Sequence, residues 1–154
     1  MTNNDVLRRL RYTFDYNDSE MITIFRSGGR SVSREEVSDW LKRDEDPAFE
    51  ECADVVLAEF LNGMIVVKRG KREGGPPVAE TCLNNNIIFR KLKIALNLKA
   101  EDVMALIRDD AFSISKHELS AFFRKPDHKH YRECKDQVLR KFLNGLQRKH
   151  RGED

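Results

Sequence analysis

Glu51-Cys-Ala-Asp-Val-Val-Leu-Ala-Glu-Phe-Leu-Asn-Gly63 returns 82 residues later as Glu133-Cys-Lys-Asp-Gln-Val-Leu-Arg-Lys-Phe-Leu-Asn-Gly145. Extended outward at the same offset, residues 3–70 align on 85–152 without a gap, and 20 of the 68 pairs are identical, which establishes an internal duplication. In the first copy, apolar residues cover most of this stretch's helical circumference: Cys52, Val55, Val56, Leu57, Phe60, Leu61, Met64 and Ile65. A helix apolar nearly all round is a central one. The pattern predicts a fourth helix of each copy over about 50–67 and 132–148. The first copy's tail, Met64-Ile-Val-Val67, is expected to be buried. The second copy's tail, Leu146-Gln-Arg-Lys149, is expected to end in water.

Working back from that helix, each copy reads as four helices. The first spans about 4–16 and 86–98, with Val6, Leu10 and Phe14 matched by Ile88, Leu92 and Leu96 at helical spacing. Asn3 and Asn85 are read as its N-caps, because a short side-chain oxygen accepts from free backbone N–H groups. The second runs near 19–27 and 101–109. The third opens on Ser33-Arg-Glu-Glu36 and Ser115-Lys-His-Glu118, a capping box at both equivalent sites. Glycine and proline in residues 70–82 stop a helix, and no alternating β-branched run is bounded by turn residues. The fold class is all-α: two tandem four-helix repeats over 1–69 and 83–154, joined by a linker at 70–82.

A copy of this size has a marginal core by itself, so the two are expected to share one about a pseudo-two-fold axis. Glycine inside a helix costs about 1 kcal/mol relative to alanine, and close backbone approach is the reason sought for Gly63 and Gly145. Phe60, Asn62, Gly63, Phe142, Asn144 and Gly145 are therefore assigned to the repeat interface. Opposite charges at equivalent positions (Glu50/Arg132, Glu59/Lys141, with Asp46 against His128) fit complementary drift across such an axis.

The 154 residues carry a net charge of +2, with 35% charged residues. That balance hides a split. Residues 1–82 hold 12 Lys+Arg against 16 Asp+Glu, whereas residues 83–154 hold 16 against 10 and all four histidines. The longest aliphatic run is Met64–Val67, far short of a membrane span, and Met-Thr-Asn-Asn-Asp-Val has no apolar signal core. Cys52, Cys82 and Cys134 read as reduced, buried thiols, so a cytoplasmic protein with no membrane contact, a monomer or homodimer, is expected.

No Gly-x-Ser-x-Gly, His-Glu-x-x-His or Gly-x-Gly-x-x-Gly occurs. Asp127-His128-Lys-His130-Tyr-Arg-Glu-Cys134 contains zinc-type ligands but no second ligand pair. It is read as exposed histidines beside a buried helical thiol, with no metal and no cofactor. Glu51/Asp54 and Glu133/Asp136 are read as first-turn acids that complement the helix dipole. The expectation is no enzyme. The functional lead is basic: Arg8, Arg9 and Arg11 match Arg90, Lys91 and Lys93 on the first helix of each copy. Further charge follows at Lys68–Arg72 and Arg148–Arg151. These suit contacts with an unidentified protein partner or with nucleic-acid phosphates.

Asn-Asn at the first helix, paired with Glu-Cys-x-Asp-x-x-Leu-x-x-Phe-Leu-Asn-Gly and duplicated in about 150 residues, resembles the YehS-like bacterial family, a duplicated domain of unknown function. The resemblance covers essentially the whole chain. It implies a small bacterial protein built from two copies of one domain, and it brings no catalytic residues with it.

Overall fold

A computed structural model describes residues 1–71 and 73–152, so Arg72 of the basic tail lies outside the described residues. The chain divides into two compact units, the second beginning at Asn84. The first contains α1 (Asn3–Phe14), α2 (Asp18–Ser27), α3 (Arg34–Leu41) and α4 (Asp54–Arg69); the second contains α5 (Asn85–Ala95), α6 (Ala100–Ile107), α7 (Lys116–Phe122) and α8 (Asp136–Arg151). The protein is an all-α tandem repeat. Among the described residues the one β feature is an isolated bridge between Asp109 and Phe112.

The capping boxes at Ser33 and Ser115 are present with both reciprocal bonds. The first-helix caps stand one residue earlier than expected. Thr2 and Asn84 are the N-caps, each accepting from a backbone N–H with its side chain. Asn3 and Asn85 instead reach across the unit. Asn3 Nδ2 donates to Cys52 O (3.0 Å) and Asp54 Oδ1 (2.7 Å), and Asn85 Nδ2 donates to Cys134 O (3.0 Å) and Asp136 Oδ1 (2.7 Å).

The neighbouring asparagine does more. Asn4 is buried; its Nδ2 donates to Trp40 O and Glu50 O, and its Oδ1 accepts from Cys52 N, all at 2.9 Å. Asn86 repeats this with Phe122 O (3.0 Å), Arg132 O (2.8 Å) and Cys134 N (2.9 Å). Each asparagine satisfies three main-chain groups that helix or sheet would otherwise have to pair. The connection between the third and fourth helices is thereby pinned at both ends. This also corrects the start of the fourth helix, which falls at Asp54 and Asp136. Residues 50–53 and 132–135 are non-helical, so Cys52 and Cys134 are buried but not helical, and Glu51 and Glu133 precede the helix.

The glycine has the expected kind of cause, located within each unit. A Cβ on Gly63 would sit 1.8 Å from Ile24 O of α2, and one on Gly145 would sit 2.1 Å from Leu106 O of α6. The second and fourth helices therefore cross with their backbones in contact. Phe60 packs on Phe25 (4.9 Å between centroids) and Phe142 on Phe89 (4.7 Å), again inside their own units. The central aromatic ring has moved between elements: Phe25 of α2 is Ile107 in the second unit, while Leu7 of α1 is Phe89 there. Such an exchange keeps core volume while redistributing it. Asn62 is buried and donates to Pro77 O (3.1 Å), and Leu83 N donates to Asp54 Oδ2 (2.8 Å), so the expected linker is tethered to the first unit.

The opposite charges of Glu59 and Lys141 also have partners inside their units. Arg30 Nε donates to Glu59 Oε1 at 2.7 Å. Lys141 Nζ donates to Asp109 Oδ2. The charge on the fourth helix reversed, and its partner moved from Arg30 to Asp109, the equivalent of Ser27. Of the two tails, Met64 and Val66 are buried while Val67 is exposed; in the second, expected to end in water, Leu146 is buried, Gln147 and Arg148 are half-buried and Lys149 is exposed.

Candidate functional site

The six basic residues of the first helices do not form two matching patches. Arg8 Nη1 donates to Lys42 O (2.6 Å), and its Nη2 lies 2.7 Å from Asp5 Oδ1 and 3.4 Å from Asp44 Oδ1. It is therefore an internal clasp between α1 and the end of α3. Arg9 is half-buried and Arg11 exposed. In the second unit Lys91 is buried at 6% exposure, so it is not presented to a partner. Lys93 Nζ stands 5.7 Å above the Phe123 ring, a cation–π placement. Arg90 is exposed, and among the described residues it has no carboxylate partner.

The difference between Arg8 and Arg90 leads to a site that the helix-one reading missed. Asp5 and Asp44, which hold Arg8, are Ile87 and Pro126 in the second unit. Lys42 follows the same rule. Asp39 takes a hydrogen bond from Lys42 Nζ (2.5 Å), and that bond, with the charges of Asp39, Asp46 and Glu35, holds the ammonium above its ordinary range. The equivalents of Lys42, Asp39, Asp46 and Glu35 are Arg124, Ala121, His128 and His117. Both cations are kept, and all five surrounding carboxylates are gone.

What replaces them is a basic corner built from α5, α7 and the pinned loop 124–135. Asn86, Arg90 and Lys93 share one face of α5 by their spacing, and Asn86 Nδ2 binds Phe122 O at the end of α7. Arg124 Nη1 lies 3.4 Å from His128 Nε2. His130 N donates to His128 Nδ1 (3.0 Å), so the His128 ring carries its proton on Nε2 and faces Arg124 as a second donor. The His128 and His130 rings lie 5.5 Å apart between centroids, and those of His117 and His130 lie 6.5 Å apart. An open depression of about 590 Å³ is lined by Phe123, Arg124, Lys125, Asp127 and His128. Asp127 is the acid left in it. Glu118 is committed to the Ser115 cap, whose backbone N–H, first, and hydroxyl hold its carboxyl below the usual range; Arg132 and His117 add to that. The arrangement sets Arg124 and His128 side by side as donors, with Lys125 in the same depression, and can offer them to an anion.

Other constellations have structural uses. Burial pushes the Cys52 and Cys134 thiols up to about 12, which keeps them protonated and unreactive, whereas Cys82, expected to be buried with them, is exposed. Asp136 is held below its usual range first by the Asn85 side chain. His128 and His130 are exposed while Cys134 is buried. Among the described residues no group of three His, Cys, Asp or Glu side chains is placed to hold a metal ion. Among the same residues, no helix is long and apolar enough to cross a membrane.

Fold and site together define a duplicated all-α protein whose second copy bears a net basic corner. The chain belongs to the DUF1456 family, described as protein of unknown function, which matches it twice, over residues 3–70 and 85–152. It is 42% identical over 147 residues to the uncharacterized protein YehS of Escherichia coli (strain K12), covering 95% of this chain and 94% of that protein. No solved structure matches it.

Proposed function

We propose that this chain is a non-enzymatic binding module and that the basic corner of its second repeat holds the phosphates of a single-stranded nucleic acid. The observation that carries this reading is the reversal of one loop. Residues 42–53 contain Asp44, Glu45, Asp46, Glu50 and Glu51 against Lys42 and Arg43; residues 124–135 contain Arg124, Lys125, Lys129, Arg132 and Lys135 against Asp127 and Glu133. The loop has gone from three net negative charges to three net positive ones on the same backbone scaffold. Arg90 and Lys93 of α5 add to it. A fixed loop presenting five cations against two carboxylates, one of which (Glu133) pairs with Lys135 at 3.3 Å, suits a polyanion, because phosphate contacts release counterions. Phe123 lies among the lining residues, and an aromatic ring flanked by cations suits an unpaired base better than a closed duplex. The non-enzymatic part is supported by the protonated, buried thiols and by the carboxylates engaged in caps and clasps.

The test is fluorescence anisotropy of a mixed-sequence single-stranded oligonucleotide titrated with the full chain at two salt concentrations. With roughly four phosphate contacts, affinity should fall about 50-fold between ~50 and ~200 mM salt. No binding at the lower salt, or an affinity indifferent to salt, overturns the reading. An acidic protein would then be the partner class left for the same corner.

A further inference from the structure

The first repeat contains its own picture of this corner when filled. Five carboxylates (Asp5, Glu35, Asp39, Asp44 and Asp46) surround Arg8 and Lys42, with Asp5 and Asp44 at 2.7 and 3.4 Å from Arg8 Nη2 and Asp39 at 2.5 Å from Lys42 Nζ. In the second repeat the two cations persist as Arg90 and Arg124, and the five acids have become Ile87, His117, Ala121, Pro126 and His128. We infer that a phosphate group binds there, in the place that the Asp44 carboxylate takes in the first repeat, with Arg90, Arg124 and His128 Nε2–H as its donors. This rests on the reading of the corner as a nucleic-acid site and names the subsite that a backbone phosphate occupies.

Three features support the assignment. Arg124 Nη1 and His128 Nε2 are 3.4 Å apart and both carry hydrogens, so they have no bond to make with each other. Two donors converging in this way are satisfied by one acceptor oxygen between them. The ring cannot turn its lone pair toward Arg124 without giving up the bond from His130 N. The loop that carries both residues is held at its ends by Asn86 through Phe122 O, Arg132 O and Cys134 N, so the backbone bearing the donors is shaped before the anion arrives. Asp127, exposed at the same depression, is the one charge in its lining that opposes an anion.

The test puts the first repeat's acids back. Pro126→Asp with His128→Asp restores the equivalents of Asp44 and Asp46 at two exposed positions, so folding is preserved. Ala105→Glu with Gln137→Glu adds the same charge at exposed positions on α6 and α8. P126D/H128D should weaken oligonucleotide binding by about tenfold or more relative to that charge-matched control. Inorganic phosphate alone should give saturable shifts of the His128 ring nitrogens and of the 124–130 amides by NMR in the native chain. The same amides should stay unmoved in P126D/H128D. Arg90→Gln, a second exposed variant, should also lose affinity for phosphate. If the oligonucleotide binds but P126D/H128D behaves like the control, the subsite is wrong and the nucleic-acid reading stands. If phosphate perturbs these groups saturably but no oligonucleotide binds, the subsite stands and the nucleic-acid reading falls. A His128 ring protonated on Nδ1 alone also overturns the subsite.

Discussion

Segments 42–53 and 124–135 are one loop twice, each held by a buried asparagine that pairs the same three main-chain positions, yet they carry opposite charge. In the first, the surrounding acids close on Arg8 and Lys42, so the corner is electrostatically complete and serves to fasten α1 to α3. In the second, the fastening is left to Asn86 and the aromatic contacts of Phe89, and the cations face outward. The difference teaches that main-chain pinning and surface charge are separable in this fold. One copy can change every ionic partner of a loop because the loop's shape is fixed by asparagine hydrogen bonds.

That separation has a direct test in the asparagines, where the largest effect is expected. Asn86→Ala leaves Phe122 O, Arg132 O and Cys134 N without their partner in a buried setting, at a cost of about 3 kcal/mol or more. Asn4→Ala should cost a similar amount through Trp40 O, Glu50 O and Cys52 N. Urea unfolding measures both. A loss below about 1 kcal/mol for either variant would mean that charge, not asparagine, shapes the loop.

A smaller effect, but a sharper one, comes from the identical pair Arg8 and Arg90. Arg8→Gln removes a partly exposed clasp and should lower stability by about 1 kcal/mol while leaving oligonucleotide affinity unchanged. Arg90→Gln should leave stability within about 0.5 kcal/mol and reduce affinity several-fold. The opposite pattern, in thermal melts and anisotropy together, would break the comparison, since it would place the working corner in the first repeat.

The duplication, the all-α class and the Ser33 and Ser115 caps are legible in the chain because each depends on residues close in sequence. The start of the fourth helix is not. Cys52 continues the apolar period of Val55 and Val56, but a side chain 48 positions away, Asn4, takes its N–H and holds residues 50–53 out of the helix. Gly63 announces a close approach without saying to what; the answer, Ile24 O, depends on how α2 crosses α4. The basic residues mislead for a related reason. Arg8 and Arg90 look equivalent in a comparison of first helices, and the decisive change from Asp44 to Pro126 lies 36 residues further along. The exposed cations Arg124, Lys125 and Lys129 had a signal in the loop-by-loop charge balance. The burial of Lys91 had none.

The smallest expected effect concerns the reversed charge on the fourth helix, where Glu59 pairs with Arg30 in one repeat and Lys141 with Asp109 in the other. The hydrogen bond from Lys141, aided by the Ala111 and Phe112 backbone N–H groups, holds the Asp109 carboxyl below its ordinary 3.8. A depressed carboxyl favours the folded state above its unfolded value, and that contribution is lost as pH falls through the folded value. Lys141→Met should therefore lower stability at neutral pH, with the difference from the native chain shrinking below about pH 4. Denaturant midpoints measured down that range provide the check. A difference that persisted unchanged in acid would show that Lys141 acts through packing of its methylene chain against α6, and that the two repeats reversed this charge without relying on the ion pair.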